Sequence, residues 1–185
     1  EKNGLDAQLV FFTGGTTAVM ALVSADTPIA QLAGPAVVNS VIAGSDATLI
    51  VGGVTSLNYY LLSRSEIKTP EQLKGGTVAI SRFGSGSAFI TRLALKSWGL
   101  GPVKDVTILQ IGNSPERLAA VTGGKVGGSI LSLSQTPRAK KLGLRVLADL
   151  SQIGAEYPQG VLYAPAVLIE KRPDLIVAYL KAYIE

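Results

Sequence analysis

Four turns in the sequence combine glycine with serine, threonine, proline or asparagine, and each leads into a predicted helix. They are Thr13-Gly14-Gly15-Thr16-Thr17, Gly34-Pro35, Ser81-Arg82-Phe83-Gly84-Ser85-Gly86-Ser87 and Gly112-Asn113-Ser114-Pro115. The first turn of a helix presents unpaired backbone N–H groups and the positive end of the helix dipole. If these turns share one edge of a sheet, they form a site for a carboxylate, sulfonate or phosphate. Ordinary capping explains the same residue types and remains an alternative.

Arg82 is the charged residue of these turns. It follows a predicted buried strand directly and precedes the Gly84-Ser85 turn. A guanidinium at this position can bind an anion through two parallel hydrogen bonds, whereas the alternative is an ordinary surface arginine. The residues that we expect to line a ligand pocket are Gly14, Gly15, Thr16, Gly34, Pro35, Ser81, Arg82, Gly84, Ser85, Asn113 and Ser114.

Histidine and cysteine are both absent from the sequence. Histidine is the commonest general base and metal ligand, and thiolates are common nucleophiles and metal ligands. Ser85 and Ser87 therefore have no partner that would activate them. The acidic residues are isolated, so that no pair resembles a general acid and base. We expect no catalytic residue, no bound metal and no cofactor.

The segment Gly84-Ser85-Gly86-Ser87-Ala88-Phe89 begins like a dinucleotide-binding fingerprint. Phe89 stands where the third glycine belongs, and Asp105 precedes its strand instead of following it, which is the wrong end to reach a ribose. A nicotinamide or flavin site is therefore disfavoured. Phe89 and Trp98 lie on one predicted helix and are expected to be core residues.

The composition excludes two further classes of protein. Hydrophobic residues make up 47% of the chain, but no window of about 20 residues is apolar enough for a transmembrane helix. The net charge is +4, yet the basic residues are scattered and do not alternate with aromatic residues. Nucleic-acid binding needs such residues clustered on one face, so we expect a solvated basic surface instead.

Short β-rich runs alternate with helical stretches, which predicts an α/β fold with mainly parallel sheets and helices on both faces. The predicted strands are 9–12, 29–32, 47–54, 59–64, 77–81, 106–110, 128–131, 144–150 and 161–164. The predicted helices are 16–23, 34–43, 87–98, 115–122, 136–142 and one from Pro173 onward. The pattern is interrupted near residues 65 and 155, which indicates two lobes joined by two crossovers. Residues 1–4 have no initiator methionine or apolar signal region, and the chain stops within a helical pattern, so we expect truncation at both ends.

Several segments resemble the aliphatic-sulfonate, nitrate and taurine branch of ABC-transporter substrate-binding proteins, a family related to thiamin-pyrimidine synthase. They are residues 1–10, Gly34-Pro35-Ala36-Val37-Val38-Asn39, Ile67-Lys68-Thr69-Pro70-Glu71-Gln72-Leu73-Lys74-Gly75, Ser81-Arg82-Phe83-Gly84-Ser85 and Pro115-Glu116-Arg117-Leu118-Ala119-Ala120. The resemblance implies the two-lobed fold of type 2 periplasmic binding proteins, with two hinge crossovers. Lobe one would comprise residues 1–64 and 160–185 and would be incomplete, and lobe two would comprise residues 65–159.

The resemblance also implies a function. Proteins of this kind hold a small polar or anionic molecule between helix N-termini of both lobes and deliver it to the membrane permease of an ABC importer. It implies a non-enzymatic protein, monomeric at full length, in the periplasm or attached outside the membrane as a lipoprotein after removal of a signal peptide.

Two other functions remain open. The same fold serves as the ligand-sensing domain of signalling proteins, and only flanking segments distinguish that role from transport. The thiamin-pyrimidine synthase relies on a histidine and a cysteine-rich motif, and this sequence has neither. That departure argues against the enzymatic alternative.

Overall fold

The computed structural model describes residues 2–185, in which strands and helices alternate. The strands of this part of the chain are β1 (Ala30–Leu32), β2 (Ala47–Val51), β3 (Tyr59–Ser63), β4 (Thr77–Ile80), β5 (Thr107–Gln110), β6 (Gly128–Ser132), β7 (Arg145–Asp149) and β8 (Val161–Pro165). The α-helices are α1 (Gly15–Val23), α2 (Gly34–Ile42), α3 (Gly86–Ser97), α4 (Ser114–Thr122), α5 (Thr136–Lys141), α6 (Ala166–Lys171) and α7 (Pro173–Ile184).

The strands form two sheets. One has three strands in the order β1-β8-β2, and both outer strands run antiparallel to β8. The other has five strands in the order β5-β4-β6-β3-β7; β4 is parallel to β5 and β6, whereas β3 is antiparallel to β6 and β7. The α/β class is confirmed, but the three-stranded sheet is antiparallel and the five-stranded sheet is mixed, so the sheets are not mainly parallel. Strands that are joined through a crossover helix run parallel to each other. β3 and β8 are not joined to their sheets in this way, because the chain enters each of these strands directly from the other sheet.

The chain crosses between the sheets twice, at residues 52–58 and at residues 154–160. The two crossing segments run side by side: the Val54 amide donates to the Gln159 carbonyl oxygen at 3.0 Å, and the Gln159 amide donates back to the Val54 carbonyl oxygen at 2.8 Å. Gly53 permits this approach, because a Cβ there would lie 2.5 Å from the carbonyl oxygens of Gln159 and Gly160. The two expected crossovers are therefore present.

Each face of the five-stranded sheet has its own core. Val78 and Ile80 of β4 pack with Ile90 and Leu95 of α3 on one face. Ala79, between them in sequence, belongs to the other core, which α4 and α5 cover. This alternation follows from the two-residue repeat of a strand. Helices on both faces are thus confirmed for this sheet, and they hold the loops at its edge in place.

The three-stranded sheet packs against α1 and α2. Leu22 of α1 and Val37 of α2 contact a core that includes Leu32 of β1 and Val161 and Tyr163 of β8. Burying each of these side chains stabilises the fold by roughly 1.5–3 kcal/mol. The first turns of both helices are thereby fixed on this sheet.

The strand predicted at 9–12 is wrong, because the structure has neither strand nor helix there. Leu9 and Phe11 are 94% and 86% exposed, and a strand needs a hydrogen-bonded neighbour that these residues lack within the described chain. The other predicted strands and helices are present with shifted ends, and α6 was not predicted. Among the described residues, no helix has the length and apolar character that crossing a membrane requires.

Candidate functional site

A cavity of about 470 Å³ lies between helices of the two sheets. It is lined by residues of α2, of α3 with its preceding turn, and of the second crossing segment: Gly34, Pro35, Val38, Asn39, Gly84, Ser85, Ala88, Phe89, Arg92, Glu156, Tyr157 and Pro158. Because α2 packs on the three-stranded sheet and α3 on the five-stranded sheet, the cavity collects groups from both.

The first turn of α3 is built by a cluster of three serines. The hydroxyl oxygens of Ser81, Ser85 and Ser87 lie 2.8–3.1 Å from one another. Ser85 is the N-cap of α3, where its hydroxyl accepts from the Ala88 amide at 3.4 Å and donates to the Arg82 carbonyl oxygen at 2.6 Å. Since these hydroxyls satisfy one another, their main effect is to hold the turn in shape.

The N-terminus of α1 and the middle of α2 both contact this turn. Thr16 donates its hydroxyl to the Phe83 carbonyl oxygen at 3.1 Å, and Asn39 donates its amide to the Gly84 carbonyl oxygen at 3.5 Å. A Cβ at Gly14 would lie 3.1 Å from the Ser81 hydroxyl oxygen, and the φ of +87° also favours glycine there. Three of the four predicted turns therefore lie together.

Within the predicted set, the cavity is lined by Gly34, Pro35, Gly84 and Ser85. Gly14, Gly15, Thr16 and Ser81 do not line it; they pack behind it, where a Cβ at Gly15 would lie 3.3 Å from the Cβ of Ala36. The side chain of Arg82 is exposed, is absent from the cavity lining and has no ion-pair partner within the described part of the chain.

The fourth turn, at Asn113 and Ser114, opens α4 and also lies off the cavity. It lies at the same sheet edge as the serine turn, since β4 and β5 are parallel and the Phe83 amide donates to Gln110 Oε1 at 3.1 Å. Asn113 Oδ1 accepts from the Glu116 amide at 3.0 Å, and Glu116 Oε2 accepts from the Asn113 amide at 2.8 Å. This reciprocal capping box already occupies the polar groups of the turn.

Arg117, in the first turn of α4, is a buried cation that sequence reasoning did not single out. It is 5% exposed and donates to the carbonyl oxygens of Gly112 at 2.6 Å and Ile130 at 3.2 Å, and to the hydroxyls of Ser114 and Ser129 at 3.2 Å each. Burial lowers the pKa of Arg117 to about 10, so that it stays protonated at neutral pH. Its bonds tie the start of α4 to β6.

Tyr157 and Phe89 form an aromatic wall of the cavity. Their ring centroids are 5.9 Å apart with an angle of 25° between the planes. Phe89 was expected in the core but is 46% exposed, because the cavity lies beside it; Trp98, on the same helix, does pack against the core. Tyr157 is 1% exposed, and burial raises the pKa of its phenol well above the ordinary value. Neither residue is predictable from local sequence, since the two approach each other from segments 68 residues apart in the chain.

The family model described as NMT1/THI5 like matches residues 1–185. No curated protein matches the chain significantly. Among solved structures, a protein of Bordetella bronchiseptica RB50 is 20% identical with a TM-score of 0.82, covering 96% of this chain and 59% of its own. The periplasmic aliphatic sulphonate binding protein SsuA from Escherichia coli is 24% identical with a TM-score of 0.70, covering 91% and 55%.

The alkanesulfonate-binding protein SsuA from Xanthomonas axonopodis pv. citri, solved with MOPS bound, is 22% identical with a TM-score of 0.74, covering 88% of this chain and 56% of its own. At identities this low the likeness concerns the fold alone, and it confirms the expected fold of a periplasmic binding protein. The chain spans between half and two thirds of the length of these three proteins.

Proposed function

We propose that this chain, which belongs to the NMT1/THI5-like family, acts as an extracytoplasmic solute-binding protein that captures a small polar or anionic molecule for an ABC importer. One observation carries the proposal: the first turns of α2 and α3, from different sheets, open on the same cavity. The start of α3 provides unpaired N–H groups, and both helix starts direct the positive ends of their dipoles at one anion. At α2 the Gly34 amide already donates to the Pro158 carbonyl oxygen and Pro35 has no N–H, so α2 contributes mainly through its dipole.

We further propose that each sheet is the centre of one lobe. The sequence-based division into residues 1–64 with 160–185 and residues 65–159 then needs one change: β3 (Tyr59–Ser63) pairs inside the five-stranded sheet, so the first boundary moves from residue 64 to the segment 52–58. The segments 52–58 and 154–160 then form the hinge. Ligand bound to one lobe gains contacts from the other on closure, and this difference in contacts shifts the hinge equilibrium.

The proposed ligand class includes sulfonates, carboxylates, nitrate and taurine. Gly34, Pro35, Gly84 and Ser85 would contact it in the cavity. Gly14, Gly15, Thr16 and Ser81 would hold the serine turn, and Arg82, Asn113 and Ser114 would extend the site along the sheet edge. The two proteins named SsuA bind sulfonates, which supports this class for a chain of the same fold.

Capture without turnover is part of the proposal, because the serines at α3 bond one another and the sequence offers no histidine or cysteine to activate them. The closed form would be recognised by the membrane permease of the importer. The protein would work as a monomer in the periplasm, or outside the membrane as a lipoprotein.

A thermal-shift panel of sulfonates, carboxylates, nitrate and taurine tests the proposal. A ligand at about 100 times its dissociation constant stabilises the folded state by about 2.7 kcal/mol. At least one acid is expected to raise the melting temperature and to bind with one-to-one stoichiometry in calorimetry. A panel without any shift would contradict solute binding.

A further inference from the structure

We propose that Tyr157 and Phe89 make this a site for an organic acid with a flat apolar body, such as an aryl sulfonate or aryl carboxylate, whose acid group accepts a hydrogen bond from the Tyr157 hydroxyl. The inference rests on the proposed function and names its ligand class. It is carried by an unpaired buried hydroxyl, by the helix start beside it, and by the apolar wall.

The Tyr157 hydroxyl has no hydrogen-bond partner among the residues described, although the side chain is 1% exposed and lines the cavity. A buried hydroxyl without a partner is costly, and native proteins rarely leave one unpaired. The backbone amide of Tyr157 donates to the Thr55 carbonyl oxygen at 2.8 Å, which fixes this residue in the crossing pair. The hydroxyl is therefore a donor held in place for an acceptor.

The hydroxyl lies against the start of α3. A Cβ at Gly86, the first residue of this 12-residue helix, would collide with the hydroxyl oxygen, so the phenol and the helix start face the same spot. The amides of Gly86 and Ser87 have no acceptor within the helix, because they belong to its first turn. An acid oxygen placed here would accept from the phenol and from the helix start together.

The walls of the cavity fit an apolar body. Phe89 and Val38 are 46% and 55% exposed although both line the cavity, and they come from α3 and α2 respectively. Pro35 and Pro158 extend the apolar lining. A flat ring beside Phe89 and Tyr157 would remove this surface from water and add aromatic contacts, whereas nitrate has no apolar surface to bury.

Charge does not decide the ligand class. Arg92 and Glu156 both line the cavity, are exposed, and carry opposite charges. Their formal charges cancel, so the attraction for an acid comes from the helix start and the phenol. Selection among acids then depends on the apolar body.

Calorimetric titration with benzenesulfonate and ethanesulfonate tests the inference on the wild-type protein, Tyr157→Phe, Phe89→Ala and Tyr163→Phe. The wild type is expected to bind benzenesulfonate about tenfold more tightly than ethanesulfonate, because the ring buries more apolar surface. Tyr157→Phe should lower the affinity for benzenesulfonate about 10- to 100-fold, because a hydrogen bond to a charged group is lost. Phe89→Ala should bring the two affinities together. Tyr163 is a buried tyrosine of β8 that does not line the cavity, so its variant should bind like the wild type.

Melting curves recorded without ligand show whether a loss of binding reflects a loss of folding stability. Tyr157→Phe removes an unpaired hydroxyl, so its melting temperature should equal or exceed that of the wild type; a clear decrease would mean that the hydroxyl is already bonded, and would overturn the inference. Unchanged affinity in Tyr157→Phe, or equal wild-type affinity for the two probes, would overturn the inference but leave solute binding in place. A wild-type protein that binds no acid at all would overturn both.

Discussion

Arg117 donates a hydrogen bond of 2.6 Å to the carbonyl oxygen of Gly112, the residue before the N-cap of α4. The other acceptors of this guanidinium are also uncharged, and they lie on α4 and β6. Among the described residues no carboxylate forms an ion pair with Arg117, although the charge of Glu116 attracts it. The buried charge is tolerated because four hydrogen bonds replace its hydration. The cation holds the loop between β5 and α4 against the sheet.

Replacing Arg117 is therefore expected to destabilise the fold. Arg117→Met should lower the free energy of unfolding by about 2–4 kcal/mol, because it removes four hydrogen bonds and leaves the buried Gly112 carbonyl oxygen without the Arg117 donor. Arg117→Lys should restore only part of the loss, since a single ammonium cannot reproduce the planar fork. Urea titration measures both. Arg145→Met, at an exposed position of β7, is the matched control and should stay within about 0.5 kcal/mol of the wild type.

A methyl group at Gly86 should disturb the cavity. The Cβ of alanine would collide with the Tyr157 hydroxyl and lie 3.0 Å from the Cβ of Ala33. Gly86→Ala should therefore lower the free energy of unfolding by about 1–3 kcal/mol and reduce the affinity for every ligand of the site. Gly52→Ala is the control for stability, because a Cβ there has no neighbour within 4 Å among the described residues. Wild-type affinity and stability in Gly86→Ala would show that the helix start and the phenol are not in close contact.

Stability at high pH should report on Tyr157. Burial raises the pKa of this phenol in the folded state above the ordinary 10.0. The folding stability that depends on the neutral phenol is therefore complete below pH 10.0 and is lost as the pH rises through the folded-state pKa. Arg117 has the opposite effect, because its lowered pKa makes the unfolded state bind more protons above about pH 10. The comparison of Tyr157→Phe with the wild type cancels the arginine effect. Urea midpoints at about pH 8 and about pH 11 should show the variant losing less stability; parallel losses would contradict a buried phenol.

Arg82 is expected to matter for binding and not for folding. If the hinge closes over an acid and Arg82 pairs with it through two hydrogen bonds, Arg82→Ala should cost about 2–5 kcal/mol of binding free energy. Arg82→Lys should recover part of this. The exposed side chain makes unchanged melting temperatures the expected result without ligand. Equal affinities of all three proteins in calorimetry would remove Arg82 from the site.

Local signals in the sequence predicted the helix starts well. Pro35 lies in the first turn of α2, and Asn113 and Glu116 form the reciprocal cap of α4, because these preferences act within a few residues of chain. The same local reasoning failed for residues 9–12, where β-like residues pair with no strand of the described chain. It also failed for strand direction, which depends on how the chain passes between sheets.

Only part of the candidate site could be predicted from the sequence. Gly34 and Gly84 were identified because turn residues have a local signature. Tyr157, Phe89 and Arg117 were not, since their roles depend on contacts between segments that are distant in sequence. Nothing near Tyr157 indicates that its hydroxyl will lie against Gly86.

The pairing of β2 with β8 has a consequence for how the molecule can be divided. Val51 and Leu162 are antiparallel partners, so residues 52–160 leave and re-enter the three-stranded sheet at one point. Topologically, the five-stranded sheet is a guest domain inserted into a β-hairpin of a host domain. Its own ends are also close, as Tyr60 pairs with Asp149. We therefore expect that residues 52–160 can be excised as one continuous piece, and that a tight turn from Val51 to Val161 would reclose the host hairpin.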